Sequence, residues 1–257
     1  DCFRGAEAKD VDYVLTGITK EKFCALFPCA EKIGRTFPVY HVRINGMCCE
    51  VAFARREVKT GMGYHGFDVE FDPSVSIGED LYRRDTTMNA MAVELPAGTL
   101  LDPYGGRADI AAGIIRAVSP HFSEDPVRAL RAARQAAEFG YRVEKETLGQ
   151  MHACAEELGH EPSERLVGEL RRPLMTPRPS VFFRVLHAAE LLTVTFPEIA
   201  ALVGQTQPTE FHPEGDALAH TLAMVDAVAE ETEDIRTRFA ALVHDLGKGL
   251  TPKEMLP

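Results

Sequence analysis

Up to about Pro120 the chain offers short apolar runs of strand length; beyond it, apolar residues recur at helical spacing. Residues 10–17 read as a strand and "TKEKFCALF" as a short helix. "VYHVRI" and "MCCEVAFAR" flank Asn45-Gly46 and predict a hairpin-like pair. "KTGMGYHGF" is glycine-rich and without period, so a loop. "TTMNAMAVEL" and "GTLLDPYGG" are further short apolar segments around a turn. In "DPVRALRAARQAAEFG", Asp125 suits an N-cap, Pro126 the first helical turn and Gly140 the stop. "KETLGQMHACAEEL", "SERLVGELRR", "SVFFRVLHAAELL", "ALAHTLAMVDAVAEE" and "DIRTRFAALVHDLG" continue the helical pattern. Breaks are expected at Pro173, Pro177, Pro179, Pro197, Pro208 and Pro213. The expected class is α+β: a head with a small mixed sheet and helices, then an all-α remainder. No internal repeat or low-complexity tract interrupts it.

Composition narrows this modestly. The 257 residues, 45% hydrophobic and 26% charged, suit one large or two to three small globular domains. No apolar run approaches the roughly 18 residues of a membrane span, and no basic-then-apolar leader opens the sequence. None of the six cysteines forms a C-x-x-C pair, and adjacent Cys48 and Cys49 suit neither a disulfide nor a zinc site, so reduced thiols in a cytoplasmic protein are expected. A net charge of −11 argues weakly against nucleic-acid binding. Arginines nevertheless cluster at 83–84, 128–134 and 171–172, which leaves room for local basic patches.

The candidate chemistry begins with "KDVDYV". Residues i and i+2 of a strand share a face, so Asp10 and Asp12 project together. Two neighbouring carboxylates are tolerated at an exposed strand end or around a divalent cation. Glu50, embedded in the apolar "CEVAF", is either a half-exposed strand position or a third carboxylate; with the pair it would make an oxygen-rich Mg²⁺ site suited to two-metal phosphoryl or nucleotidyl transfer. Two motifs fail on context. "GMGYHG" matches G-x-G-x-x-G but is followed by the non-helical "FDVEFDPSVS". "RRDTTMN" resembles the kinase catalytic loop, but one residue too few separates Asp85 from Asn89 and no D-F-G follows.

Taken in order, "KDVDYV", "CEVAFARREVKTGMGYHGF", "DLYRRDTTMNAMA", "LLDPYGGRADIAAGIIRAV" and "FSEDPVRALRAARQAAEFGY" resemble the class II tRNA nucleotidyltransferases, the CCA-adding enzymes of the polymerase-beta-like superfamily. The resemblance implies addition of CCA to tRNA 3′ ends from CTP and ATP. It implies that Asp10 and Asp12 bind Mg²⁺ and that Glu50 is the third carboxylate. Arg83, Arg84 and Asp85 match the family's R-R-D motif, which contacts ribose and phosphates. Glu124, Asp125 and Arg128 match E-D-x-x-R, in which the Asp and Arg meet the edges of C and A. Arg131 and Arg134 match nucleotide-binding positions. Asp102, Gly106 and Arg116 match a motif that couples head to nucleotide pocket. An acceptor and a donor fork can satisfy a base edge. On helical geometry, however, Asp125 and Arg134 point to nearly opposite sides, so phosphate or a neighbouring helix is the alternative partner for Arg134. Gln135, where the family usually has an aromatic residue, reads as a packing change.

The C-terminal segment adds a second resemblance. His220 alone reads as a helix-surface histidine. With the "HDLGKG" of His244 and Asp245 it resembles the HD domain of metal-dependent phosphohydrolases, which implies Mg²⁺ or a transition metal such as Ni²⁺. The expected divisions are a nucleotidyltransferase head at 1–118, a helical nucleotide- and RNA-binding neck at 119–205, and the start of an HD domain at 206–257. Relative to the family, the first strand with its Gly-Gly turn and the last HD aspartate are expected to be missing, so a fragment impaired in both activities is expected. The competing readings are a poly(A) polymerase or CC-only or A-only enzyme of the same class, an HD phosphohydrolase whose head only binds RNA, and an inactive RNA-binding remnant.

Overall fold

The computed structural model describes residues 2–5, 11–34, 38–44, 46–61, 66–206 and 215–251. Two compact units result: Asp1–Ala112 with Val118–Glu124, and Gly113–Ala117 with Asp125–Pro257. The class is α+β, as expected.

In the first unit, β1 (Asp12–Leu15), β2 (Glu31–Ile33), β3 (Val39–Ile44) and β4 (Met47–Phe53) form one sheet in the order β1-β4-β3-β2. β1 runs parallel to β4, and the other pairs are antiparallel. The hairpin at Gly46 forms as expected, with Ile44 opposite Met47 and Gly46 at φ +85°; Asn45 lies outside the described residues. The first strand is shorter than its apolar pattern suggested, and Asp10 also lies outside the described residues.

Alternation sorts this sheet into two faces. Tyr40, Val42, Val51 and Phe53 point into a core closed by Phe23 of α1 (Lys20–Leu26). Phe23 meets Tyr40 and Phe53 edge-on at 5.2 and 5.3 Å, and each such pair contributes about 0.5–1.5 kcal/mol beyond area burial. Thr19 starts α1 by accepting from the Lys22 N–H at 3.3 Å. The opposite face carries the polar residues of the same strands.

The unit continues with the hairpin β5 (Arg56–Lys59) and β6 (Phe67–Glu70), α2 (Ile77–Tyr82), the hairpin β7 (Ala92–Glu94) and β8 (Thr99–Leu101), and α3 (Gly106–Ala112). A strand therefore follows the "GMGYHG" loop, of which residues 62–65 are outside the described set. A reciprocal capping box between Ser76 and Glu79 starts α2.

The second unit opens with β9 (Ile114–Ile115), which pairs in parallel with β10 (Arg142–Val143). Between them runs α4 (Val127–Phe139), whose Ala129, Ala132, Ala133 and Ala136 are fully buried and allow close approach of neighbouring helices. Gly140 ends it in the left-handed conformation, φ +67°, where a side chain would be strained. Its start differs slightly from expectation: Pro126 occupies the cap position, while Asp125 Oδ1 accepts from the Val127 N–H at 3.2 Å.

Several apolar periods expected as single helices are broken. α5 (Lys145–His152) and α6 (Ala155–Leu158) divide the first, and α8 (Ser180–Ala188) and α9 (Leu192–Thr195) divide another around Glu190 at φ +58°. Pro173, expected as a break, lies inside α7 (Ser163–Leu174). It has no N–H for the Glu169 carbonyl four residues back, and the helix ends one residue beyond it. α10 (Pro197–Ala200) begins at its proline, whereas Pro208 and Pro213 are outside the described residues. α11 (Ala217–Glu231) and α12 (Ile235–Val243) pack on each other, and "HDLG" leaves the helix for a 3₁₀ turn at Leu246–Gly249. Ser180 ties α8 to α11 by donating its N–H and hydroxyl to Asp226 at 2.9 and 2.6 Å.

Candidate functional site

The polar face of the head sheet aligns four side chains by register alone. Asp12 pairs with Glu50, Glu50 with His41, and His41 with Glu31, one from each of the four strands. Register partners share a face, so Asp12 and Glu50 are neighbours although 38 positions apart in sequence. Both are exposed. Glu50 Oε1 accepts from His41 Nε2 at 3.1 Å. Sequence reasoning missed His41. The signal was present: a two-residue Asn45-Gly46 loop places 44 opposite 47, and hence 41 opposite 50.

The R-R-D segment follows α2. Arg83 is engaged on both sides, donating to buried Asp80 at 2.6 Å and to Glu57 at 2.8 Å. Asp80 also accepts from the Arg55 N–H at 3.2 Å and from Arg84 at 3.3 Å. Burial, with the Arg83 charge second, holds the Arg55 guanidinium below its ordinary value. Arg84 additionally donates to the Asn89 carbonyl at 3.2 Å, and its side chain stays 37% exposed. Asp85 is buried and shapes the turn, accepting from the Thr86 N–H at 2.8 Å and from Asn89 at 3.1 Å. The turn is fastened from α3: Thr87 donates to Asp109 at 2.7 Å. Asp102 caps α3 through the N–H groups of Gly106 and Arg107, at 2.7 and 3.0 Å. A Cβ on Gly106 would lie 2.2 Å from the Thr87 carbonyl oxygen, so only glycine fits.

In the second unit, Asp125 Oδ2 and Arg128 Nε stand 4.0 Å apart, with Arg128 largely buried. Arg131 is half-buried on the same helix. Arg134 turns to α7: it donates to Glu169 at 2.7 Å and to Glu138 at 3.2 Å, and Glu138 also holds Arg172 at 2.7 Å. The neighbouring-helix alternative raised by helical geometry is thus the one adopted. Arg116 pairs with Glu144 at 3.5 Å. Gln135 is buried.

At the far end, ligand atoms of His220 on α11, His244 at the C-cap of α12, and Asp245 all lie within 4.8 Å of one another. Among the described residues this is the group with metal-ligand geometry. His244 Nδ1 is 2.8 Å from the Ala241 carbonyl, which can only accept, so Nδ1 donates there and Nε2, 3.3 Å from Asp245 Oδ2, is the ring nitrogen turned to the cluster. Asp245 Oδ2 sits 3.3 Å from His244, 4.0 Å from His220 and 2.7 Å from Lys248. Two imidazoles and a carboxylate converging in this way fit a divalent ion.

Residues 1–116 match the poly A polymerase head domain, and residues 140–202 match the probable RNA and SrmB-binding site of polymerase A. The whole chain aligns with the Multifunctional CCA protein of Nitrosococcus oceani at 46% identity over 260 residues and with that of Vibrio parahaemolyticus at 45% over 262. Over its whole length the chain is therefore similar to CCA-adding enzymes. It covers 63% of the length of each of these two relatives. Among solved structures, the Bacillus stearothermophilus CCA-adding enzyme in complex with CTP is 28% identical, with a TM-score of 0.70 over 99% of this chain and 60% of its own. A CCA-adding enzyme with ATP is 27% identical, with a TM-score of 0.61 over 94% and 55%. A head of this family implies use of divalent metal ions. Among the described residues, no helix is long and apolar enough to cross a membrane.

Proposed function

We propose that the full-length protein is a cytoplasmic enzyme that adds CCA to tRNA 3′ ends from CTP and ATP. The observation that carries the reading is the pairing of Asp12 with Glu50 on the exposed face of the head sheet, in a chain whose curated relatives are named Multifunctional CCA protein. Asp10, Asp12 and Glu50 form the catalytic carboxylate set, with Mg²⁺ held by Asp10 and Asp12. Bound there, Mg²⁺ would neutralise the triphosphate and lower the barrier to attack by the tRNA terminal hydroxyl. The protein's own part is to set adjacent carboxylates on a rigid sheet, Asp12 at the start of β1 and Glu50 inside β4.

Arg84, Asp85, Asp125, Arg128, Arg131 and Arg134 form the proposed nucleotide-binding set. Asp125 can only accept and Arg128 can only donate. C and A both present an amino donor beside a ring-nitrogen acceptor, so one Asp–Arg pair serves both bases and rejects G and U. Asp85 contributes through the turn that it holds, and Arg134 through α4, which its two carboxylate partners brace. The head at 1–118, the neck at 119–205 and the HD segment from 206 supply the nucleotidyltransferase, RNA-binding and phosphohydrolase parts. For the last, His220, His244 and Asp245 would hold Mg²⁺ or a transition metal such as Ni²⁺. Bound there, the ion would activate water for phosphoester hydrolysis.

The test uses the purified full-length protein, tRNA ending before CCA, and labelled CTP and ATP. Two C and one A should be added, and Asp12→Ala should add none. Long A tails would favour the poly(A) polymerase reading instead. Incorporation by Asp12→Ala at the wild-type level would overturn the carboxylate assignment.

A further inference from the structure

The row across the head sheet holds one group that the proposed chemistry does not use. We infer that His41 is a positioning residue for Glu50, fixing the third carboxylate beside Asp12; this rests on the nucleotidyltransferase reading of the site.

Glu50 needs such a partner. Its side chain is 57% exposed, and a long flexible carboxylate in that setting samples several rotamers. His41 is the opposite case. Its sequence neighbours Tyr40 and Val42 are buried in the aromatic core on the other face of β3, which fixes where the imidazole leaves the sheet. β3 is also an interior strand, bonded to β2 on one side and to β4 on the other. The ring is half-buried, and Nε2 stands 3.1 Å from Glu50 Oε1. A carboxylate accepts only, so Nε2 carries a proton here whatever the charge of the ring. The hydrogen bond engages one oxygen of Glu50 and leaves the second as the working atom of the row. This is the arrangement by which outer partners orient carboxylates at metal and phosphoryl-transfer sites.

Two measurements on the purified full-length protein test this. Long-range ¹H–¹⁵N spectra should show His41 protonated at Nε2 in the wild type and a tautomer mixture in Glu50→Ala; an unchanged His41 signal would overturn the contact. In CMP addition to tRNA, His41→Ala should lower kcat about tenfold, with KM for CTP within about twofold. His41→Gln, whose amide can donate from a similar place, should recover most of the loss. A His41→Ala enzyme with wild-type kcat, or Ala and Gln variants equally impaired, would overturn the inference alone. A wild-type enzyme that transfers no CMP would overturn the nucleotidyltransferase reading itself.

Discussion

Arg238, in the middle of α12, is 3% exposed, and its guanidinium donates four hydrogen bonds to backbone carbonyls. Nε donates to Thr232 at 2.7 Å, Nη1 to Leu174 and Thr176 at 2.8 and 2.9 Å, and Nη2 to Ala229 at 2.9 Å. The acceptors lie at the ends of α7 and α11, where helices leave their last carbonyls without intrahelical partners. One side chain thereby closes two helix ends and docks α12 on both. Arg238→Met keeps the stem and removes every donor. Hydrogen bonds to a charged group contribute about 1.5–3 kcal/mol each, but the four share one ion, and deleting it also removes its desolvation penalty of several kcal/mol. The net loss should be about 3–5 kcal/mol. At about 3–4 °C per kcal/mol this lowers the midpoint of the helical unit by about 10–20 °C in a far-UV circular dichroism melt. Arg238→Lys, with a compact ammonium instead of a fork, should fall between the two. An Arg238→Met protein melting within about 2 °C of wild type would show that these carbonyls are satisfied in another way and would refute the reasoning.

Gly106→Ala should destabilise the head by about 1–3 kcal/mol and raise KM for CTP, because the new Cβ has to displace the Thr87 carbonyl that shapes the R-R-D turn; thermal melts and steady-state kinetics read both. Glu79 is held at about 2, first by the Ser76 N–H, then by Arg56 and the Ser76 hydroxyl, against an ordinary value of 4.5. Its contribution is therefore complete above pH 4.5 and lost as pH falls from 4.5 towards 2; urea midpoints of Glu79→Gln should depend less on pH than wild type in that window. His244→Ala should weaken Ni²⁺ or Mn²⁺ binding at the HD cluster at least about tenfold by calorimetry, and leave CMP addition intact.

The patterns that depend on neighbours in sequence were legible. A glycine turn gave the β3–β4 hairpin, Gly140 gave the end of α4, and the His-Asp doublet with His220 gave a cluster that the structure does bring together. What the sequence hides is what depends on three-dimensional partners. Glu190 at φ +58° breaks an unbroken apolar period, with no glycine or proline to signal it. Pro173 reads as a helix break but lies inside α7, which ends one residue later. Arg238 belongs to no motif, and only the tertiary fold supplies its four carbonyls. His41 was hidden for a different reason: the register that pairs it with Glu50 is derivable, but a histidine in an apolar strand carries no motif.

Acids set opposite arginines also account for how a chain with a net charge of −11 keeps some cations at its surface. Counting arginines in motifs overstates the positive surface, because each cation has to be weighed against the acids opposite it. Arg83 is held by Asp80 and Glu57, and Arg134 by Glu138 and Glu169. These four acids add to the negative total yet stand against positive charges. They also select which arginine stays accessible: in the R-R-D pair, Arg83 is clasped by two carboxylates at under 3 Å, whereas Arg84 has one carboxylate contact at 3.3 Å and remains partly exposed. Sequence motifs therefore name the arginines, but the carboxylates on β5, α2, α4 and α7 decide which of them brace the scaffold and which stay at its surface.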